Sequence, residues 1–276
     1  MKKKQNIFVK NKKFTVYLIL ALAIILVAVL APQISPYDPS ESVLTDALKA
    51  PGEGHLFGTD KLGRDLFSRV IYGTRASLPA TFALVGSIFL VGSALGIIAG
   101  YFGGWIDAVI MRIADMMVAF PGMVLAIAIA GILGPSITNA VIAIGLVSWT
   151  KYARMARSLV LKIKHDDYIE AARVTGSKTG HILTRYLLPT VVPTLIITAS
   201  TDIGGMMLEL AGLSFLGFGA RPPIPEWGLM LSEGRSYMQN APWVMIFPGL
   251  AILIVVTVFN LLGDSLRDVL DPRDEE

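Results

Sequence analysis

Six long apolar runs decide what this chain can fold into. They lie at about residues 14–31, 79–101, 114–134, 137–150, 190–212 and 243–263. A helix that crosses a bilayer needs about 20 mostly apolar residues, and five of the runs come close to or exceed that length. The fourth is short as a purely apolar run. It is expected to extend through Trp149 and Tyr152 towards Leu161, with Lys151 and Arg154 near the water interface. Only 16% of the residues are charged and 54% are hydrophobic, against about 25% charged in soluble domains. The chain therefore reads as all-α, a polytopic membrane protein with six transmembrane helices. There is no cysteine, which excludes disulfides and thiolate metal sites. A net charge of +3 does not suggest nucleic-acid binding.

Lys and Arg set the direction of threading. With the N-terminus inside, the inner segments hold 17 of the 24 cations. These are six in residues 1–13, Arg112, eight from Lys151 to Arg185, and Arg267 with Arg273. Lys49, Lys61, Arg64, Arg69, Arg75, Arg221 and Arg235 fall outside. Both termini are then cytoplasmic. The lysine-led first run could instead be a cleaved signal peptide. Phe14 to Ala31 is longer than the roughly 7–15 residues of such a core, and no small-x-small site follows before Pro32. An uncleaved helix is expected, and cleavage would not turn the other five spans.

Residues 1–78 are read as a tail, the first span and an outer segment, and residues 79–276 as a five-helix core. Pro32, Pro36, Pro39 and Pro51 make the outer segment extended and turn-rich. From Leu62 it reads as an amphipathic helix, with Leu62, Leu66, Val70 and Ile71 on one face and Arg64, Asp65 and Arg69 opposite. No internal repeat is apparent.

The largest inner loop, about residues 162–189, holds a polar, cationic island, DDYIEAARVTGSKTGHILTRYLLP. Asp167 is expected to cap a helix, with Glu170 completing a capping box. Gly176 can end that helix in a left-handed turn. A second helix is expected from Thr179 to Leu188, and Pro189 opens the next span.

Glu170-Ala171-Ala172, Gly176 and Leu188-Pro189 stand at the spacing of the EAA signature and resemble that of ABC-importer permeases. Tyr186 stands where that family usually has Ile. The string GTDKLGRD (Gly58 to Asp65) and the tail FNLLGDSLRDVLDPR resemble the second-permease subunit of dipeptide, oligopeptide and nickel importers. The resemblance covers about Phe14 to Arg273. It implies a type I ABC importer permease fold in a bacterial cell membrane, and a transport subunit rather than an enzyme. It implies as partners a homologous second permease, one or two ABC ATPase subunits and an extracytoplasmic substrate-binding protein. The EAA helices would seat in the ATPases. There Glu170 would meet cationic or donor groups, Ala171 and Ala172 would allow close approach, and Gly176 would allow the bend. ATP and Mg would sit on those partners. This chain has no glycine-rich Gly-Lys-Ser/Thr loop and no cofactor of its own is expected.

Two acids, Asp202 and Glu209, lie inside the fifth run two helical turns apart, with Met206 between them. Charged groups at membrane depth rarely face lipid. They read either as a cation-attracting stripe on the pathway or as helix–helix hydrogen-bonding groups, which Gly204 and Gly205 favour. Asp115 and Asn260 have the same two readings. The three histidines are scattered, and no metal site is expected. The string D-I-G-x-M-M-L from Asp202 to Leu208 looks more like the nickel-type permease, which tips the cargo towards nickel or a metal chelate over peptides. A gradient-driven carrier or channel and an intramembrane enzyme are the rival classes.

Overall fold

Apolar length sets the helices, and prolines and glycines divide them. The computed structural model describes residues 11–52 and 54–270. Lys2, Lys3, Lys4, Lys10 and Arg273 of the charge count, and the end of the tail signature, lie outside them. The described residues form ten α-helices and no strand, with two isolated bridges in the first interhelical segment. In order they are α1 (Lys12–Ile34), α2 (Leu66–Phe102), α3 (Gly104–Val118), α4 (Gly122–Leu133) and α5 (Ile137–Ile163). Then come α6 (Asp167–Val174), α7 (Thr179–Ile182), α8 (Leu188–Phe215), α9 (Trp227–Gly234) and α10 (Trp243–Leu270).

Four helical rods are long and apolar enough to cross a membrane. They are α1, α2, α10 and the continuous rod Thr179–Phe215, in which a π-helical turn at Leu183–Leu187 joins α7 to α8. The expected second helix therefore does not stop at Leu188. The expected span at 114–134 is broken: α3 and α4 meet at 91°. Pro121 explains the break, because a proline disfavours helix in the residue before it and lacks an N–H. The pair counts as a fifth span if taken as one. α5 is 27 residues long. The cations in its second half keep it from being apolar throughout, so by length and composition the described residues give four spans, or five, and not the six expected.

The expected span at 79–101 begins earlier. α2 runs unbroken for 37 residues from Leu66, through residue 78, where the sequence reading places its division. Asp65 starts it by accepting from the Ser68 N–H at 2.7 Å. The amphipathic helix expected from Leu62 begins only at Leu66 as the first turns of α2, and Leu62, Arg64 and Asp65 precede it. Its polar face is not solvated: Arg64, Asp65 and Arg69 are all buried.

α2 packs along α5 more extensively than any other pair. Small residues bring the backbones together: a Cβ on Gly96 would overlap the Ala153 carbonyl oxygen, and one on Gly92 the Trp149 carbonyl oxygen. Gly96→Leu is expected to cost about 3 kcal/mol, the top of the overpacking range. Thermal unfolding of the purified protein would show it as a lowered midpoint. Gly86→Leu, where a Cβ meets nothing within 4 Å, should leave the midpoint nearly unchanged.

Two apolar clusters result. One joins α2, α4, α5 and α8 through Leu84, Ile88, Ile144 and Leu195. The other joins α1, α2, α8, α9 and α10 through Leu66, Met207, Trp227 and Phe259. Trp227 is held in the second by donating its indole N–H to the Val70 carbonyl at 2.9 Å. Beside it, Glu226 caps α9 by accepting from the Gly228 and Leu229 N–H groups, both at 2.8 Å. Burial pushes the Glu226 carboxyl up, against those two donors, which favour its ionised form.

Candidate functional site: a charged cavity and a projecting loop

α8 carries Asp202, Met206 and Glu209 at i, i+4 and i+7, so all three share one face. That face lines a cavity of about 320 Å³ together with Met117 of α3 and Lys151 and Tyr152 of α5. Val118 and Phe120, at the bend between α3 and α4, form another wall.

Asp202 is not bare. Lys151 Nζ reaches its two carboxylate oxygens at 2.6 and 2.8 Å, and the Tyr152 hydroxyl donates to it at 2.9 Å. Glu209 has no hydrogen bond or ion pair among the described residues, and it is partly buried. The cavity thus holds one compensated carboxylate, one ammonium and one uncompensated carboxylate.

Lys151 begins a row. Arg154 and Arg157 follow at intervals of three, on adjoining parts of the α5 surface. Arg154 donates to Asp115 at 2.8 Å, and Arg157 makes a two-pronged contact with Asp107. Lys151 and Arg154, expected near the water interface, are 54% and 44% exposed, and each is also matched to an acid on a neighbouring helix. Asp115 therefore belongs to the seam between α3 and α5. Asn260 sits apart on α10. It packs against α8 at Gly204, where a Cβ would overlap its side chain, and it does not line the cavity. Tyr152 is the residue that sequence reading missed. The sequence marks it only as part of the extended fourth span, because its partner lies 50 residues away.

The second feature is the segment from α6 to α7. Ile169 and Ile182 are buried and fix it to the bundle. The Arg173 guanidinium lies 5.8 Å from the centre of the Tyr101 ring at the end of α2. The cap differs from expectation: Asp166, not Asp167, stands at the N-cap, and it makes no side-chain cap bond. Glu170 does not close a capping box. It accepts from Arg173 Nη1 at 2.7 Å and pairs with His165 Nδ1 at 3.2 Å, because a full charge at i+3 outcompetes a backbone N–H.

Ala171 is exposed, whereas Ala172 is buried in its own chain. Gly176 ends α6 at φ +83°. The Ser177 N–H bonds the Ala172 carbonyl at 2.9 Å and the Gly176 N–H bonds that of Arg173 at 3.0 Å. Tyr186 is half-buried against the rings of Tyr168 and His181. Leu188 is partly buried and Pro189 exposed at the start of α8. Outward from this segment stand Val174, 87% exposed, and Tyr168, 43% exposed.

Known proteins match this arrangement. The sequence profile described as the inner membrane component of binding-protein-dependent transport systems matches residues 92–274. That of the N-terminal transmembrane domain of oligopeptide transport permease C matches residues 6–51. A dipeptide transport system permease of Alkalihalophilus pseudofirmus is 46% identical over 96% of this chain and 87% of its own length. A glutathione transport system permease of Pectobacterium atrosepticum is 46% identical over 91% and 84%. A nickel transport system permease of Escherichia coli is 42% identical over 93% and 92%. Among solved structures, an inward-facing methionine ABC transporter superimposes with a TM-score of 0.60 at 20% identity. It covers 74% of this chain and 97% of its own, and shows that the fold is shared. A transport subunit rather than an enzyme, this chain belongs to the inner-membrane permease components of binding-protein-dependent ABC importers.

Proposed function

We propose that the chain forms half of the pathway of an ATP-driven importer of short peptides. A second, homologous permease supplies the other half. Residues 162–189 receive motion from one or two partner ATPases, which hold ATP and Mg while this chain holds neither. An extracytoplasmic binding protein delivers the cargo at the opposite face. Both termini lie on the cytoplasmic side, as the distribution of Lys and Arg favours.

One observation carries this reading: the rod Thr179–Phe215 is continuous. Its beginning lies in the projecting segment, and its middle carries Asp202. A rigid helix moves as a body, so a push at Thr179 is delivered to the cavity wall. Glu170 and Ala171 are placed to contact a partner, with Gly176 as the elbow.

The peptide assignment rests on the names of the relatives and on Lys151. A cavity that offers both an ammonium and an uncompensated carboxylate matches a cargo carrying both charges, as a peptide does. Met117 and Met206 favour the nickel reading, since thioethers suit soft metals. The assembled complex in vesicles should take up labelled dipeptide with ATP and saturate, and should not take up labelled nickel. Saturable uptake of nickel alone would reverse the assignment.

A further inference from the structure

Three charged groups face one cavity, and only two of them satisfy each other. Lys151 and Asp202 form a closed pair, with Tyr152 as its third member. Glu209 is left over. Seven residues along a helix amount to about 10 Å of rise, so Glu209 lies about that far from Asp202 along α8. An extended chain gains roughly 3.3–3.6 Å per residue. A tripeptide therefore separates its end charges by about that same distance, and a dipeptide by somewhat less.

Among the described residues no group of three or more His, Cys, Asp or Glu side chains is placed to hold a metal ion, and these two carboxylates have no third such ligand beside them. They can serve the two ends of a peptide. The Lys151 side chain is long, 54% exposed and anchored by its tip alone. It can swing from Asp202 to an incoming carboxylate while Tyr152 continues to donate to Asp202.

Resting on the peptide reading above, we propose that this cavity is a transit subsite for a zwitterionic di- or tripeptide. Glu209 receives the α-ammonium group. Lys151 leaves Asp202 and receives the α-carboxylate. Asp202 acts as the resting counter-ion of Lys151 and stops that ammonium from standing uncompensated when the cavity is empty. Phe120 and Val118 at the α3–α4 bend cover the peptide's side chains without reading them. The subsite therefore recognises ends and tolerates sequence.

The test uses the complete complex in vesicles, with the binding protein preloaded with each peptide so that capture does not enter the rate. Three tripeptides are compared: free, N-acetylated and C-amidated. Glu209→Gln is expected to slow the free and C-amidated peptides about tenfold and to leave the rate of the N-acetylated one unchanged. Lys151→Met should slow the free and N-acetylated peptides by a similar factor and leave the C-amidated one unchanged. A purely structural role would slow all three alike, and equal losses would overturn the proposal. Wild-type complex that moves nickel and none of the peptides would instead overturn the peptide reading on which it rests.

Discussion

Replacing Gly176 with proline should nearly abolish ATP-driven uptake while the protein still inserts and assembles. The elbow between α6 and α7 depends on φ +83° at this residue and on the Gly176 N–H donated to Arg173. Proline holds φ near −65° and has no N–H, a mismatch worth about 3 kcal/mol or more. That lowers the population of the native elbow roughly 100-fold, and uptake should fall with it. Alanine keeps the N–H and pays only for the left-handed backbone, about 1–2 kcal/mol. Gly176→Ala should therefore lose roughly tenfold in rate. A Cβ at this position meets nothing within 4 Å, so neither variant presses on the bundle. Co-purification with the second permease should be normal for both. Glu170→Lys tests the surface instead of the hinge: it breaks the contacts to Arg173 and His165 and presents the wrong charge to a partner. Undiminished uptake by Gly176→Pro would show that the loop does not transmit motion.

How much of this could be read from the residues alone depends on how far apart the deciding partners lie. Gly176 was legible because a left-handed helix end is a local property of four or five residues. The spans were legible because hydropathy is additive along the chain. The break at Pro121 was visible in principle. Hydropathy hides it, because residues 114–134 are apolar on both sides of it and composition does not register angle. The burial of the charges around the start of α2 is hidden for a different reason. Arg64 and Arg69 have one nearby carboxylate, Asp60, but Glu233, which completes their burial, lies more than 160 positions later. Asp202 was recognised as functional or structural glue without a decision between them, because Lys151 sits on another helix. Charge compensation is a tertiary property. A sequence displays the ions and not the pairs.

That buried cluster should be the most sensitive point for stability in the first interhelical segment. Arg64 and Arg69 are each 1% exposed. Arg64 Nε meets Asp60 at 2.6 Å and its Nη2 meets Glu233 at 3.0 Å. Arg69 reaches the same two acids at 3.4 and 3.6 Å and donates to the Pro39 carbonyl at 2.9 Å. Lys61 adds a contact to Glu233 at 3.2 Å. Asp60 in turn accepts the Leu62 and Arg64 N–H groups, which shapes the turn before α2. The network ties the GTDKLGRD string to α9, with Arg64 and Glu233 169 positions apart in the chain. Removing one partner of a buried pair strands the other, at about 3–5 kcal/mol. Arg64→Met should therefore free the segment between α1 and α2 and speed tryptic cleavage at Lys49 and Lys61 by roughly two to three orders of magnitude. Glu233→Gln should do the same, because it leaves cations facing each other. The double variant removes one charge of each sign, so its loss should fall short of the sum of the two single losses by roughly 1–3 kcal/mol. Additive losses would mean that the two residues act apart, and that the segment is held instead by packing of Phe57 against the apolar cluster that contains Trp227.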